Sequence, residues 1–172
     1  MMDFNELKEK LEKINPGSYL HCISTMEEAE KLAIHYGADV EKAKIAGLLH
    51  DCGKKKKVGK DNLSHANFGA ELAEKSFGVK DKEVLDAIMY HTIGRENMTL
   101  LDKIIFIADK IEQRRNYNKV DELRKVAYDN IDDAIIMSIE GTIEYIKMQH
   151  LELDNESIKT LDFLRRQNEK RP

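Results

Sequence analysis

Tryptophan is absent from this 172-residue chain, and glycine, proline and cysteine are scarce, at nine, two and two residues. A β-sandwich needs many turns, so this shortage of turn formers, with aromatics at 6%, argues against that class. Cys22 and Cys52 cannot build a disulfide framework and suit a reducing cytosol. Apolar runs stop at five residues, Ile45–Leu49 and Ile104–Ala108, where a membrane-spanning helix needs about 20. The opening Met1-Met2-Asp3-Phe4-Asn5-Glu6 has no basic region and no apolar region, so no signal peptide is expected. A net charge of −4 gives no global attraction to nucleic acid. The expectation is a cytoplasmic protein with no membrane segment.

What the chain does contain is helix-forming pattern. Apolar residues make up 41%, enough for a core, and charged residues 35%, enough to cover it. Phe4, Leu7, Leu11 and Ile14 recur at three and four residues, and Asn15-Pro16-Gly17 ends that stripe. Ser18 is placed to cap a second helix running to Tyr36, with Gly37 as its stop. Asp39 caps a third, which Gly53 ends, and Lys54–Lys60 form a basic loop. Asn62 or Ser64 opens the next, Asp81 caps one through Tyr90, and Thr99-Leu100-Leu101-Asp102 resembles a capping box opening a helix through Arg115. Two or three further helices are expected around 121–128, 131–149 and 155–167. No segment alternates with period two. The pattern predicts one all-α domain over 1–172 with about eight helices, a site core near 18–115, and C-terminal helices from 120–167 packing on it.

Six histidines occur, and most histidines are surface or satisfied core residues. His50-Asp51 stands out because it closes the apolar run Ile45-Ala46-Gly47-Leu48-Leu49. An imidazole beside a carboxylate at a buried helix end suits zinc, manganese or iron. One turn cannot complete a coordination sphere, so other helices must contribute. His21 lies early in the second helix. Asp109 sits directly behind Ile104-Ile105-Phe106-Ile107-Ala108, where burying a carboxylate is costly without a cation. An ion pair with Lys110 or Arg114 is the alternative for Asp109, and a plain polar helix end is the alternative for His50-Asp51.

The order His21, His50-Asp51, Asp109 resembles the HD superfamily of metal-dependent phosphohydrolases. The surrounding stretches look most like its YqeK family, the bacterial symmetrical bis(5′-nucleosyl)-tetraphosphatases. They are Tyr19-Leu20-His21, then Ala46-Gly47-Leu48-Leu49-His50-Asp51 followed by Lys54, then Leu63-Ser64-His65, Tyr90-His91-Thr92-Ile93-Gly94, and Lys103 through Glu112. Weaker similarity continues at Thr142-Ile143 and Thr160-Leu161. The resemblance implies a metal, iron first, bound by His21, His50, Asp51 and Asp109. It places His65 and His91 either on a second ion or on phosphate. Cys52 after the His-Asp pair departs from the pattern. Adjacent helical residues point about 100° apart, which sets Cys22 and Cys52 off the direction of their histidine and aspartate neighbours.

Lys54 follows Asp51 by three residues, and Arg115 follows Asp109 by six, so both can reach the same opening. Lys55 to Lys57 read as a solvated loop. Cations around a dication suit a polyphosphate, whose phosphorus needs its charge neutralised before attack. The resemblance implies a dinucleoside tetraphosphate cut symmetrically into two nucleoside diphosphates, ADP from the adenosine form. Asp51, Lys54, His65 and His91 are the catalytic candidates, and Ser18, Lys54, His65, His91, Thr92, Lys110 and Arg115 the substrate contacts. Nucleic acid ranks second, since it calls for a broader basic face and aromatic platforms. Rival classes are another HD phosphatase or phosphodiesterase, and a helical module that binds nucleotide without turnover. The number of metals, one or two, and a homo-oligomeric state stay open.

Overall fold

Aspartate and asparagine side chains begin most of the helices. The computed structural model describes residues 3–54, 62–152 and 154–172, with residues 62–65 described by backbone alone. It contains α1 (Phe4–Ile14), α2 (Tyr19–Tyr36), α3 (Val40–Leu49), α4 (Asn62–Phe77) and α5 (Lys82–Tyr90). These are followed by α6 (Leu100–Ile111), α7 (Val120–Asp129), α8 (Ile131–Met148) and α9 (Asn155–Glu169). That makes nine helices and no strand among the described residues, in keeping with the expected all-α domain of about eight helices. Asp3, Asp39, Asp81, Asn130 and Asp154 each accept a hydrogen bond from a first-turn N–H. Thr99 and Asp102 form the expected reciprocal box. Gly37 adopts φ +70°, the left-handed turn that glycine takes without strain, and ends α2.

Two expected boundaries and one expected cap differ, all at the site. Ser18 precedes α2 but makes no side-chain cap, because its backbone is helical rather than extended. The third helix ends at Leu49, and His50 to Gly53 form a turn. The sixth ends at Ile111 instead of Arg115. Glu112 leaves the helix at ψ 153°, and its carboxylate accepts from the Arg114 N–H at 2.7 Å.

α6 is the central post. Leu101, Ile104, Ile105, Phe106, Ile107, Ala108 and Ile111 are all buried, so it is apolar almost all round, as a helix enclosed by others must be. α2, α3, α5, α7 and α8 pack around it. A continuous buried cluster runs from Leu7 on α1 to Leu164 on α9. α2 and α3 touch most closely at Gly47. A Cβ there would lie 2.9 Å from the Met26 Cα and 3.2 Å from the Ala29 Cβ. Glycine therefore sets the distance between the helix carrying His21 and the one carrying His50. Gly47→Ala must push backbone from backbone, and should cost about 1–3 kcal/mol in urea unfolding. An unchanged unfolding midpoint would contradict this close crossing.

Candidate metal centre

Four helix ends meet at one point. His21 is in the first turn of α2, His50 caps α3, His91 caps α5, and Asp109 lies in the last turn of α6. Helix C-termini present unpaired carbonyls and partial negative charge, so the ends of α3 and α5 already favour a cation. The turn after α3 is tied down by Asn15, whose amide donates to the carbonyls of Asp51 at 3.0 Å and Lys54 at 2.9 Å.

The imidazoles are oriented by bonds behind them. His50 Nδ1 lies 2.8 Å from the Gly47 carbonyl, and His91 Nδ1 lies 2.6 Å from the Ile88 carbonyl. His21 Nδ1 lies 3.1 Å from the buried Glu112 carboxylate. Carbonyls and carboxylates only accept, so each Nδ1 carries its proton and each ring turns its Nε2 inward. His21 Nε2 and His50 Nε2 then stand 3.0 Å apart, with Asp109 Oδ1 at 2.9 and 3.4 Å from them. Asp51 Oδ2 is 3.8 and 3.7 Å from the same two nitrogens, and its Oδ1 is 3.4 Å from His91 Nε2.

With the rings neutral, these converging nitrogens and oxygens are all acceptors and repel unless a positive charge sits among them, and a proton on a ring or a metal ion supplies it. The residues fit a metal. Ligands about 2.1 Å from an ion lie about 3.0 Å apart at octahedral and about 3.4 Å at tetrahedral edges, close to the separations here. Two overlapping donor sets occur among the described residues: His21, His50 and Asp109, and His50, Asp51 and His91. His50 belongs to both.

Charge follows the geometry. Burial opposes an ionised Asp109, yet hydrogen bonds from His21 and His50 hold its carboxyl well below the usual range. Burial opposes a charged His21 too, and Asp109 and Glu112 more than offset it, so its pKa rises. Cations ring the opening. Arg115 places Nη2 2.8 Å from Asp109 Oδ1, Lys54 places Nζ 3.1 Å from Asp51 Oδ2, and Lys110 places Nζ 3.6 Å from Asp109 Oδ2. Lys110 also lies over the Phe106 ring at 3.8 Å, and burial lowers its pKa.

His21, His50, Asp51, His91, Lys54, Asp109, Lys110 and Arg115 are thus brought together as the sequence suggested. Arg115, not the neighbouring Arg114, donates to Asp109. Thr92 sits 3.3 Å from His91 Nε2, and Ser18 lies one turn before His21. His65 lies outside the described side chains, and Lys55 to Lys60 outside the described residues. Two residues went unread in the sequence. Asn15 looked like a helix stop, and Glu112 stood inside a quoted stretch without a role. The available signal was a carboxylate three residues past Asp109.

Cys22 and Cys52 are buried thiols in neither donor set. Cys52 donates to the Gly69 carbonyl at 3.3 Å. Burial, then the Asp51 charge, pushes Cys22 well up and Cys52 up to about 12. Native protein should resist iodoacetamide at pH 8 on a timescale on which the urea-unfolded chain takes up two equivalents. Rapid labelling that metal blocks would instead make a thiolate part of the site.

A family model described as the HD domain matches residues 19–114. The chain is 35% identical over 164 residues to a symmetrical bis(5′-nucleosyl)-tetraphosphatase of Bacillus subtilis, covering 85% of this chain and 88% of that one. It is also 35% identical to a protein of the same name from Staphylococcus aureus, covering 88% and 89%. Among solved structures it is similar to a predicted HD superfamily hydrolase involved in NAD metabolism from Clostridium acetobutylicum. There the identity is 34%, the TM-score 0.89, and the coverage 97% of this chain and 99% of that one. With these helix ends, this donor set and these similarities, the chain belongs to the HD-domain family.

Proposed function

We propose that this protein is a metal-dependent hydrolase that cuts dinucleoside tetraphosphates symmetrically. The observation that carries the reading is the inward-facing set of His21, His50, Asp51 and Asp109 with Lys54 and Arg115 at its rim. Similarity to symmetrical tetraphosphatases over most of both chains selects the substrate class. A binding module without turnover has no need of four ligands and a flanking proton acceptor.

His21, His50, Asp51 and Asp109 would hold the metal, iron by the family resemblance, with manganese and zinc compatible with the same donors. When bound, a dication would acidify a water and neutralise phosphoryl oxygen charge. Asp51 faces two ways: Oδ2 toward His21, His50 and Lys54, and Oδ1 toward His91. That suits it to hold the ion with one oxygen and pass a proton toward His91 with the other. His91 gives its Nδ1 proton to the Ile88 carbonyl, and the Thr92 hydroxyl lies 3.3 Å from its Nε2. Lys54, Lys110 and Arg115 take phosphate charge, and Ser18, His65 and Thr92 complete the substrate contacts. The unit that does this is the whole chain, 1–172, supported by its continuous core. It works in the cytoplasm, with a nucleoside diphosphate as product.

Attack on the second phosphorus from one end gives two identical halves. Diadenosine tetraphosphate in labelled water should therefore yield ADP alone, and AMP with ATP as initial products would refute the symmetric cut. Asp51→Ala should lose metal and turnover together while keeping its helix content. His91→Ala should keep metal and lose rate. Lys54→Ala should keep metal and lose about ten- to a hundredfold in kcat/KM, as expected when one charge-assisted phosphate contact goes. Full metal occupancy and turnover in Asp51→Ala would remove it from the site.

A further inference from the structure

The last turn of an α-helix leaves carbonyls with no partner in the helix. At the end of α6 these are the carbonyls of Asp109, Lys110, Ile111 and Glu112, and side chains from the segment that follows satisfy all four. Arg115 Nε donates to Asp109 O at 2.8 Å, and the Tyr117 hydroxyl to Lys110 O at 2.7 Å. Arg124, in the second turn of α7, supplies the other two. Its Nε donates to Ile111 O at 2.9 Å and its Nη2 to Glu112 O at 3.0 Å. The same Nη2 donates to Arg115 O at 2.9 Å, and Nη1 pairs with Asp121 at 2.7 Å.

One guanidinium therefore fixes the backbone at residues 111, 112 and 115. Two of these residues send side chains into the site. Glu112 takes the His21 Nδ1 proton, and Arg115 reaches the Asp109 carboxylate. Arg124 touches neither His21 nor Asp109. Its planar fork of donors can hold several carbonyls at once, which a lysine ammonium on a flexible stem does less well. The sharp exit of the chain at Glu112 is what α6 gains in exchange for ending early.

We infer that Arg124 is a positioning residue of the metal centre: it holds the turn after α6 so that Glu112 orients His21 and Arg115 faces Asp109. This rests on the metal reading of the site, and it is independent of which phosphate ester is cut. Residues behind metal-ligating histidines typically control metal affinity by roughly ten- to a hundredfold.

The test is titration of metal-stripped full-length protein with Mn²⁺ by calorimetry, together with amide hydrogen exchange of the stripped protein. Arg124→Ala should weaken Mn²⁺ binding about ten- to a hundredfold. It should also speed exchange at the amides of Arg114 and Arg115, which now bond to Glu112. Arg124→Lys should recover part of both. Asp121→Ala, which removes only the exposed partner of Arg124, should leave both at wild-type values. If Arg124 acts through Glu112, the double variant Arg124→Ala with Glu112→Gln should lose far less than the product of the two single losses. A lowered melting temperature with wild-type Mn²⁺ affinity and exchange would overturn the proposal and leave Arg124 a helix brace. Fully multiplicative losses would also overturn it. Absence of Mn²⁺ binding in the wild-type protein would defeat the metal reading itself, while the exchange data would still decide whether Arg124 holds Glu112.

Discussion

Two imidazole nitrogens stand 3.0 Å apart with a carboxylate oxygen against both, and in the neutral rings neither nitrogen has a proton to give the other. That contact is unfavourable without positive charge between the partners, and the fold is arranged to enforce it. His21 and His50 belong to helices that glycine allows to cross at close range. Their Nδ1 protons are committed to Glu112 and Gly47, so neither ring can relieve the contact by turning. Asp109 is brought in by the most buried helix of the chain, which has little room to move. A cation is the natural resolution, and three cationic side chains around the rim extend the same field toward a polyanionic substrate.

The supports of the site act on the segments that follow helix ends. Asn15 beyond α1 holds the turn after α3, and Arg124 on α7 holds the turn after α6. Thr160 on α9 donates to the Ile93 carbonyl, two residues past His91, and packs on Gly94. Elements remote in sequence thus determine where the ligands stand. The C-terminal helices serve the site as well as the core.

Helix positions were legible because capping residues and apolar periodicity act locally. Asp39, Asp81 and Thr99 open helices where their side chains can reach first-turn N–H groups, and such short-range bonds leave a plain trace in sequence. The candidate ligands were legible for a different reason. A histidine or aspartate directly after five apolar residues is expensive to bury unless a partner compensates, and His50-Asp51 and Asp109 share that pattern. What escaped notice depends on long-range placement. Glu112 ends α6 early, and its partner, His21, is 91 residues away. Ser18 does not cap because its own backbone is already helical. The role of Arg124 depends on α7 folding back over the end of α6, which no local pattern encodes.

His21, His50, Asp51 and Asp109 are proposed to bind a metal ion among their inward atoms. Anomalous diffraction from crystals of the protein soaked in Mn²⁺, with data recorded on both sides of the manganese edge, locates the ion directly. A single strong peak within coordination distance of His21 Nε2, His50 Nε2, an Asp51 oxygen and an Asp109 oxygen is the predicted result. A well-ordered site with no peak at saturating Mn²⁺, or a peak bound elsewhere, would contradict the account.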